Sequence, residues 1–203
     1  MKICVFSTPR TCSSLMCYVL SNRFDLYNFG ESFYGVHSPN DNDKKIKFLS
    51  KSDNYVIKLF PRHFYEKYLD LNFLDTFDYI FITERNNIVD QIASLYKMVY
   101  KNTDYIDIDN EDVIQLFNTH KKELQQFYDI KKQLLQKNEN VFVIDYQYLN
   151  NHSVNILNSI TNMNFTAEHF RSSRDKKTNI NYSKHFHNYI DLVNLIDGWK
   201  FVK

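Results

Sequence analysis

The stretch KICVFSTPRTCSSL, Lys2–Leu15, decides the fold. Ile3–Phe6 is a short apolar run without clean alternation, the pattern of a β-strand covered on both faces. The helical pattern Ser13–Arg23 begins seven residues after it. Between them lie Pro9, Arg10, Thr11, Cys12, Ser13 and Ser14. A loop of this kind aims several backbone N–H groups at one point, and the helix behind it adds its positive end. The hydroxyls add donors and Arg10 adds a fixed charge, so the loop suits a phosphate. It lacks the glycines and the Lys-Ser/Thr pair of the GxxxxGK[ST] loop. An ordinary helix cap by Thr11 or Ser13 is the plain alternative.

Three more runs read as strands: Tyr55–Phe60, Tyr79–Thr83 and Val141–Asp145. Helical patterns follow at Ser13–Arg23, His63–Leu69, Ile88–Lys101 and Tyr148–Ile160. Asn110–Lys137 reads as one long charged helix or a pair. On Ile88–Lys101 the apolar face is Ile88, Ile92, Leu95 and Val99. On Asn110–Lys137 it is Val113, Leu116, Phe117, Leu124, Phe127 and Leu134. Strands alternating with helices imply right-handed βαβ units and a parallel α/β sheet. Ligands of such sheets bind beyond the carboxyl ends of the strands. A final helix is expected near Asn188–Ile196. Before it lie a basic cluster (Arg171, Arg174, Lys176, Lys177) and an aromatic, His-rich stretch from Tyr182 to Tyr189.

With 203 residues and only 3 glycines and 3 prolines, the chain fits one domain, 1–203, without long linkers. A net charge of +1 gives no reason to expect nucleic-acid or membrane attraction, so any anion site is local. The 3 cysteines, Cys4, Cys12 and Cys17, are an odd number in one short segment. They read as reduced thiols of a cytoplasmic protein, with no spacing for a metal. No signal-peptide pattern and no apolar stretch of about 18 residues is expected to act on a membrane.

A second anchor follows the Tyr79–Thr83 strand. Arg85 sits just past it, and Ser94 lies two helical turns along the next helix. These two can converge on one phosphate; alternatively Arg85 pairs with Glu84 or Asp90 and Ser94 is exposed. Taken together, the two loops resemble the nucleotide sites of sulfotransferases that use 3′-phosphoadenosine 5′-phosphosulfate (PAPS). Pro9-Arg10-Thr11-Cys12-Ser13-Ser14-Leu15 is similar to the family's 5′-phosphosulfate loop, and Arg85…Ser94 to its 3′-phosphate element. The nearest likeness is to the branch that includes trehalose 2-sulfotransferase. That branch shares the Arg–Ser interval, a Gln at the place of Gln91, a Gly-Glu motif like Gly30-Glu31, and a last core strand like Val143-Ile144-Asp145-Tyr146. The resemblance implies a three-layer parallel sheet with the topology of P-loop nucleoside-triphosphate hydrolases. It also implies PAPS as co-substrate, PAP (3′-phosphoadenosine 5′-phosphate) as product, and a small or carbohydrate acceptor. In two places the sequence departs from the family. Cys12 stands at a glycine position, which is strained if that position needs positive φ. No second acid follows Glu31.

Sulfuryl transfer needs a base for the acceptor hydroxyl and positive charge for the leaving phosphate. Glu31 is the first candidate base and His37 the second. Arg10 is the candidate for the leaving group, with Lys58 either adding charge or lying at the surface. Arg174, Lys176 and Lys177 are candidates to close over the 3′-phosphate, a solvated charge run being the alternative. Two other readings stay open: a small-molecule kinase of the P-loop class, and a non-enzymatic nucleotide-binding protein.

Overall fold

Ile3–Phe6 forms the middle of strand β1 (Lys2–Ser7), and all four residues are fully buried. The computed structural model describes residues 1–33, 38–65, 69–100, 110–137, 139–170 and 189–197. Five parallel strands make one sheet: β1, β2 (Tyr27–Gly30), β3 (Tyr55–Leu59), β4 (Tyr79–Glu84) and β5 (Val141–Asp145). Their order is β2-β3-β1-β4-β5. β1 is therefore central, with Ile3 opposite Val56 on one side and Tyr79 on the other.

The side-chain period of two divides β1 between two cores. Ile3 and Val5 pack with helix α1 (Ser13–Phe24) through Leu15, Met16, Val19 and Leu20, and with Leu149 and Leu157. Cys4 and Phe6 pack on the other face against Phe127, Ile130 and Leu134 of the long helix α5, whose start and end match expectation (Asn110–Lys137). These α5 residues recur at intervals of three and four, the stripe of a helix lying on a sheet. A third cluster joins α5 to α4 (Ile88–Tyr100) and to α8 (Tyr189–Asp197) through Ile92, Tyr96, Phe117, Leu124, Leu192 and Ile196. Helices thus cover both faces of an all-parallel sheet, a three-layer α/β arrangement.

Five differences from the sequence reading stand out. β2 is a fifth strand, but an edge one with Tyr27 and Asn28 exposed, so YNFG carries no apolar run. Helix α2 (Pro39–Leu49) is mostly charged. Its start is set by Ser38, whose hydroxyl accepts from Asp41 N, and by Pro39 at the first turn. After β3 the chain turns immediately into α3 (Pro61–Tyr65) instead of starting at His63. The helix expected at 148–160 is two, α6 (Tyr146–Asn150) and α7 (Val154–Thr161). Asp145 starts α6 by accepting from Gln147 N at 2.7 Å, and His152 breaks the run at φ 51°. Val99 of α4 is exposed instead of buried.

The sheet order fixes where a ligand can go. The chain leaves β1 for β2 on one side, returns through β3, and then crosses to β4 on the other side. The carboxyl end of β1 is the point where the winding reverses, and a crevice opens there. Residues 8–12 lie at that point.

Phe127 stacks on Phe6 with centroids 5.3 Å apart and is almost fully buried. Phe127→Ala should therefore lower the unfolding free energy by about 3–5 kcal/mol, read by urea denaturation followed by circular dichroism.

Candidate functional site

A cavity of about 590 Å³ opens at this rim. Every strand sends something to it. Pro9, Arg10, Cys12, Ser13 and Ser14 follow β1, and Glu31 follows β2. Lys58 lies near the end of β3, with Phe60 and Arg62 just past it. Arg85 follows β4, and Tyr146 and Asn150 follow β5.

The chain turns from β1 into α1 through two left-handed residues, Arg10 at φ 67° and Cys12 at φ 61°. An L-residue there carries a cost of about 1–2 kcal/mol. Cross-links from neighbouring elements hold the turn. Thr11 Oγ1 donates to Thr8 O (2.9 Å) and accepts from Thr83 Oγ1 of β4 (3.0 Å). Gln91 Nε2 of α4 donates to Thr8 Oγ1 (2.8 Å) and Pro9 O (2.7 Å). Cys12 is the N-cap of α1 but makes no side-chain cap hydrogen bond, and no acid lies in the first turn. The first helical bond is from Met16 N to Cys12 O. The N–H groups of Ser13, Ser14 and Leu15 therefore precede the helical ladder at the positive end of α1. Lys58 Nζ adds a charge there, 3.2 Å from Ser14 Oγ.

Arg85 and Ser94 line the same cavity. Both are buried, which removes the exposed alternative for Ser94. Arg10 Nε donates to Ser94 Oγ at 2.7 Å, so Arg10 joins this pair. The Arg85 guanidinium lies over the Tyr146 ring at 4.2 Å and 3.6 Å from Asp90 Oδ2. Glu84 pairs with Lys131 instead.

On the β2–β3 side, Glu31 meets three groups. Arg62 Nη2 donates to its Oε1 at 2.7 Å, and Lys58 Nζ is 3.4 Å from Oε2. His63 Nε2 faces Oε1 at 3.7 Å, too far for a formed hydrogen bond. His63 Nδ1 accepts from Phe60 N, so in the neutral ring the proton sits on Nε2 and points at Glu31. Burial pushes the Glu31 carboxyl up, but His63, Arg62 and Lys58 outweigh it and hold it at about 2. Burial lowers the His63 imidazole despite the pull of Glu31, so it is neutral at pH 7. The Phe60 ring underlies both Lys58 (5.1 Å) and Arg62 (4.6 Å).

The sequence candidates Pro9, Arg10, Cys12, Ser13, Ser14, Glu31, Arg85 and Ser94 all line one cavity. Thr11 lies behind it as a buried brace. His37, Lys176 and Lys177 fall outside the described residues, as do Arg171 and Arg174. Lys58 is not a surface lysine: its side chain is only 13% exposed. Arg62, Tyr146 and Asn150 were missed. The signal for them was their place directly after β3 and β5. Burial pushes Cys17 up to about 12 and Cys4 upward as well, so these thiols are inert. Among the described residues no group of three or more His, Cys, Asp or Glu could hold a metal ion, and no helix is long and apolar enough to cross a membrane. No protein-family model matches the chain, and no curated protein matches it.

Two outcomes follow. Cys12→Gly should relieve the left-handed strain and raise stability by about 1 kcal/mol, a Tm increase of about 2–4 °C by calorimetry. The Glu31 carboxyl is lowered on folding, so its contribution is present above about pH 4.5 and lost as pH falls toward 2. Over that window the protein should lose up to about 3 kcal/mol more stability than Glu31→Gln, read by denaturation at each pH. At pH 7 the variant should be the less stable of the two.

Proposed function

We propose that the protein is a sulfotransferase that moves a sulfuryl group from PAPS to a hydroxyl of a small or carbohydrate acceptor. One observation carries this reading: a single cavity is lined by two sets of polar and cationic groups that follow different strands, and we read them as two ends for anions. One end is the β1–α1 loop with the start of α1 and Lys58. The other is Arg85 and Ser94 joined by Arg10. A nucleotide with phosphates on both the 5′ and 3′ positions matches two such ends, whereas ATP carries its phosphates in one chain. The order β2-β3-β1-β4-β5, with the phosphate loop between β1 and α1, we read as a P-loop-like topology.

In this reading Ser13, Ser14 and the free N–H groups of the first turn hold the 5′-phosphosulfate. Arg85 presents its guanidinium edge to the 3′-phosphate while its face stays on Tyr146, and Ser94 donates beside it. Gln91 fixes the loop without touching the nucleotide. The acceptor oxygen attacks sulfur, and a new O–S bond forms as the S–O bond to the 5′-phosphate breaks. The electron pair goes to the phosphate oxygen, and the acceptor proton goes to Glu31. Lys58 is better placed than Arg10 to balance the charge on the leaving phosphate, because Arg10 is engaged by Ser94. A carboxylate held near 2 is a weak base. Lys58 must turn from Glu31 toward the donor, and Arg62 must also leave Glu31, before it can act.

A 3′-phosphate is the discriminating feature. PAP should raise Tm well above AMP at equal concentration, and Arg85→Ala should weaken PAP about 10- to 100-fold while leaving AMP little changed. Isothermal titration with PAP, AMP and Mg²⁺-ATP reads both. Equal affinity for PAP and AMP sinks the reading, and a Mg²⁺-dependent ATP preference would favour a kinase instead.

A further inference from the structure

Behind Glu31 lies a second set of polar groups that the cavity does not use. Arg62 Nη1 points away from Glu31 toward Glu123 of α5, 3.9 Å from its Oε1. Glu123 Oε2 in turn faces His120 Nδ1 at 3.7 Å. Both separations exceed a hydrogen bond. Among the described residues, Glu123 Oε1, both His120 ring nitrogens and His63 Nε2 are buried without a hydrogen-bond partner. Leaving a buried carboxylate oxygen unpaired is costly, and native structures rarely do it without reason.

The arrangement is lopsided. One guanidinium stands between two half-buried carboxylates, bonded to Glu31 and just short of the buried Oε1 of Glu123. Glu31 is faced by Lys58 from β3 and by Arg62 and His63 from α3. Arg62 is faced by Glu31 and by Glu123 with His120 behind it. A shift of about 1 Å would carry Arg62 Nη1 into hydrogen-bond range of Glu123. Its stack on Phe60 lets the guanidinium slide in plane while it keeps that contact.

We propose that Arg62 is a two-position guanidinium, resting on Glu31 and moving to Glu123 when the site is engaged, so that Glu123 is a positioning residue that frees Glu31 to take the acceptor proton. The catalytic part of this rests on the sulfotransferase reading; the two positions of Arg62 do not. Glu123 supplies, from a helix far along the chain, the second acid that does not follow Glu31 in sequence. His120 Nδ1 faces the far oxygen of Glu123 at 3.7 Å, on the side away from Arg62. With Arg62 on Glu123, Glu31 keeps only Lys58 and His63 as close partners. Lys58 is drawn to the departing phosphate, so the carboxylate returns toward the ordinary range and gains basicity.

Two experiments decide it. The crystal structure of Glu31→Gln should bring an Arg62 Nη atom within 3.2 Å or less of a Glu123 carboxylate oxygen, about the upper limit of a hydrogen bond. An Arg62 that stays against position 31 or turns into the cavity overturns the proposal. The second uses Glu123→Gln and the release of labelled sulfate from [³⁵S]PAPS, water serving as acceptor. PAP affinity should match the parent protein. The plateau rate should fall at least about tenfold, and the acid limb of the pH profile should move down by about one unit or more, because Arg62 stays on Glu31. A parent-like rate and pH profile overturns the positioning role, since a packing defect alone would not move the limb. If neither protein binds PAP or releases sulfate, the sulfotransferase reading falls, and the Glu31→Gln structure still decides whether Arg62 has two seats.

Discussion

The chain must reverse from β1 into α1 within the five residues Thr8–Cys12, at the one rim position where the sheet's winding changes side. Glycine would make this turn at little cost, yet none of the chain's three glycines is there. Arg10 and Cys12 adopt the left-handed conformation instead, and Thr11, Thr83 and Gln91 hold them in it. The consequence reaches the whole site. Because α4 supplies Gln91 to the loop and Ser94 to Arg10, the same helix sets both ends of the cavity. The placing of the loop relative to Ser94 is thus set by a packed helix.

Charge is arranged with similar economy. Each cation of the cavity has a polar or acidic group beside it. Lys58 and Arg62 rest on Glu31, Arg85 rests beside Asp90, and Arg10 rests on Ser94. Lys58 and Arg85, the least exposed of them, would be costly to bury without partners. Holding them beside such partners offsets that cost. The low-lying Glu31 carboxyl is the measure of that arrangement.

The sequence was informative where burial and chain direction act together. Ile3–Phe6 and Val141–Asp145 could be read as strands because parallel interior strands are apolar on both faces. The loop and the Arg85–Ser94 pair could be read because strand ends are adjacent in sequence to what they position. Edge strand β2 was not legible: one side of it faces water, and Tyr27 and Asn28 carry no pattern. Helix α2 was hidden for the same reason. Lys58 reads as a surface lysine in isolation, since nothing local says that Glu31 will come to lie beside it. Glu123 and His120 are further still, 92 and 89 residues from Glu31 in the chain, and only the packing of α5 against α3 brings them near.

All the cavity residues lie at one rim of the sheet. The opposite rim, where strands begin, is held by its own contacts, such as Lys2 N donating to Asp78 Oδ2 at 2.7 Å. Its turns, at residues 25–26, 50–54 and 77–78, contribute nothing to the cavity. Lengthening an exposed turn adds only a slowly growing loop-closure entropy. The turns of that rim could therefore be lengthened with little thermodynamic cost and without reaching the cavity, whose lining follows the opposite strand ends.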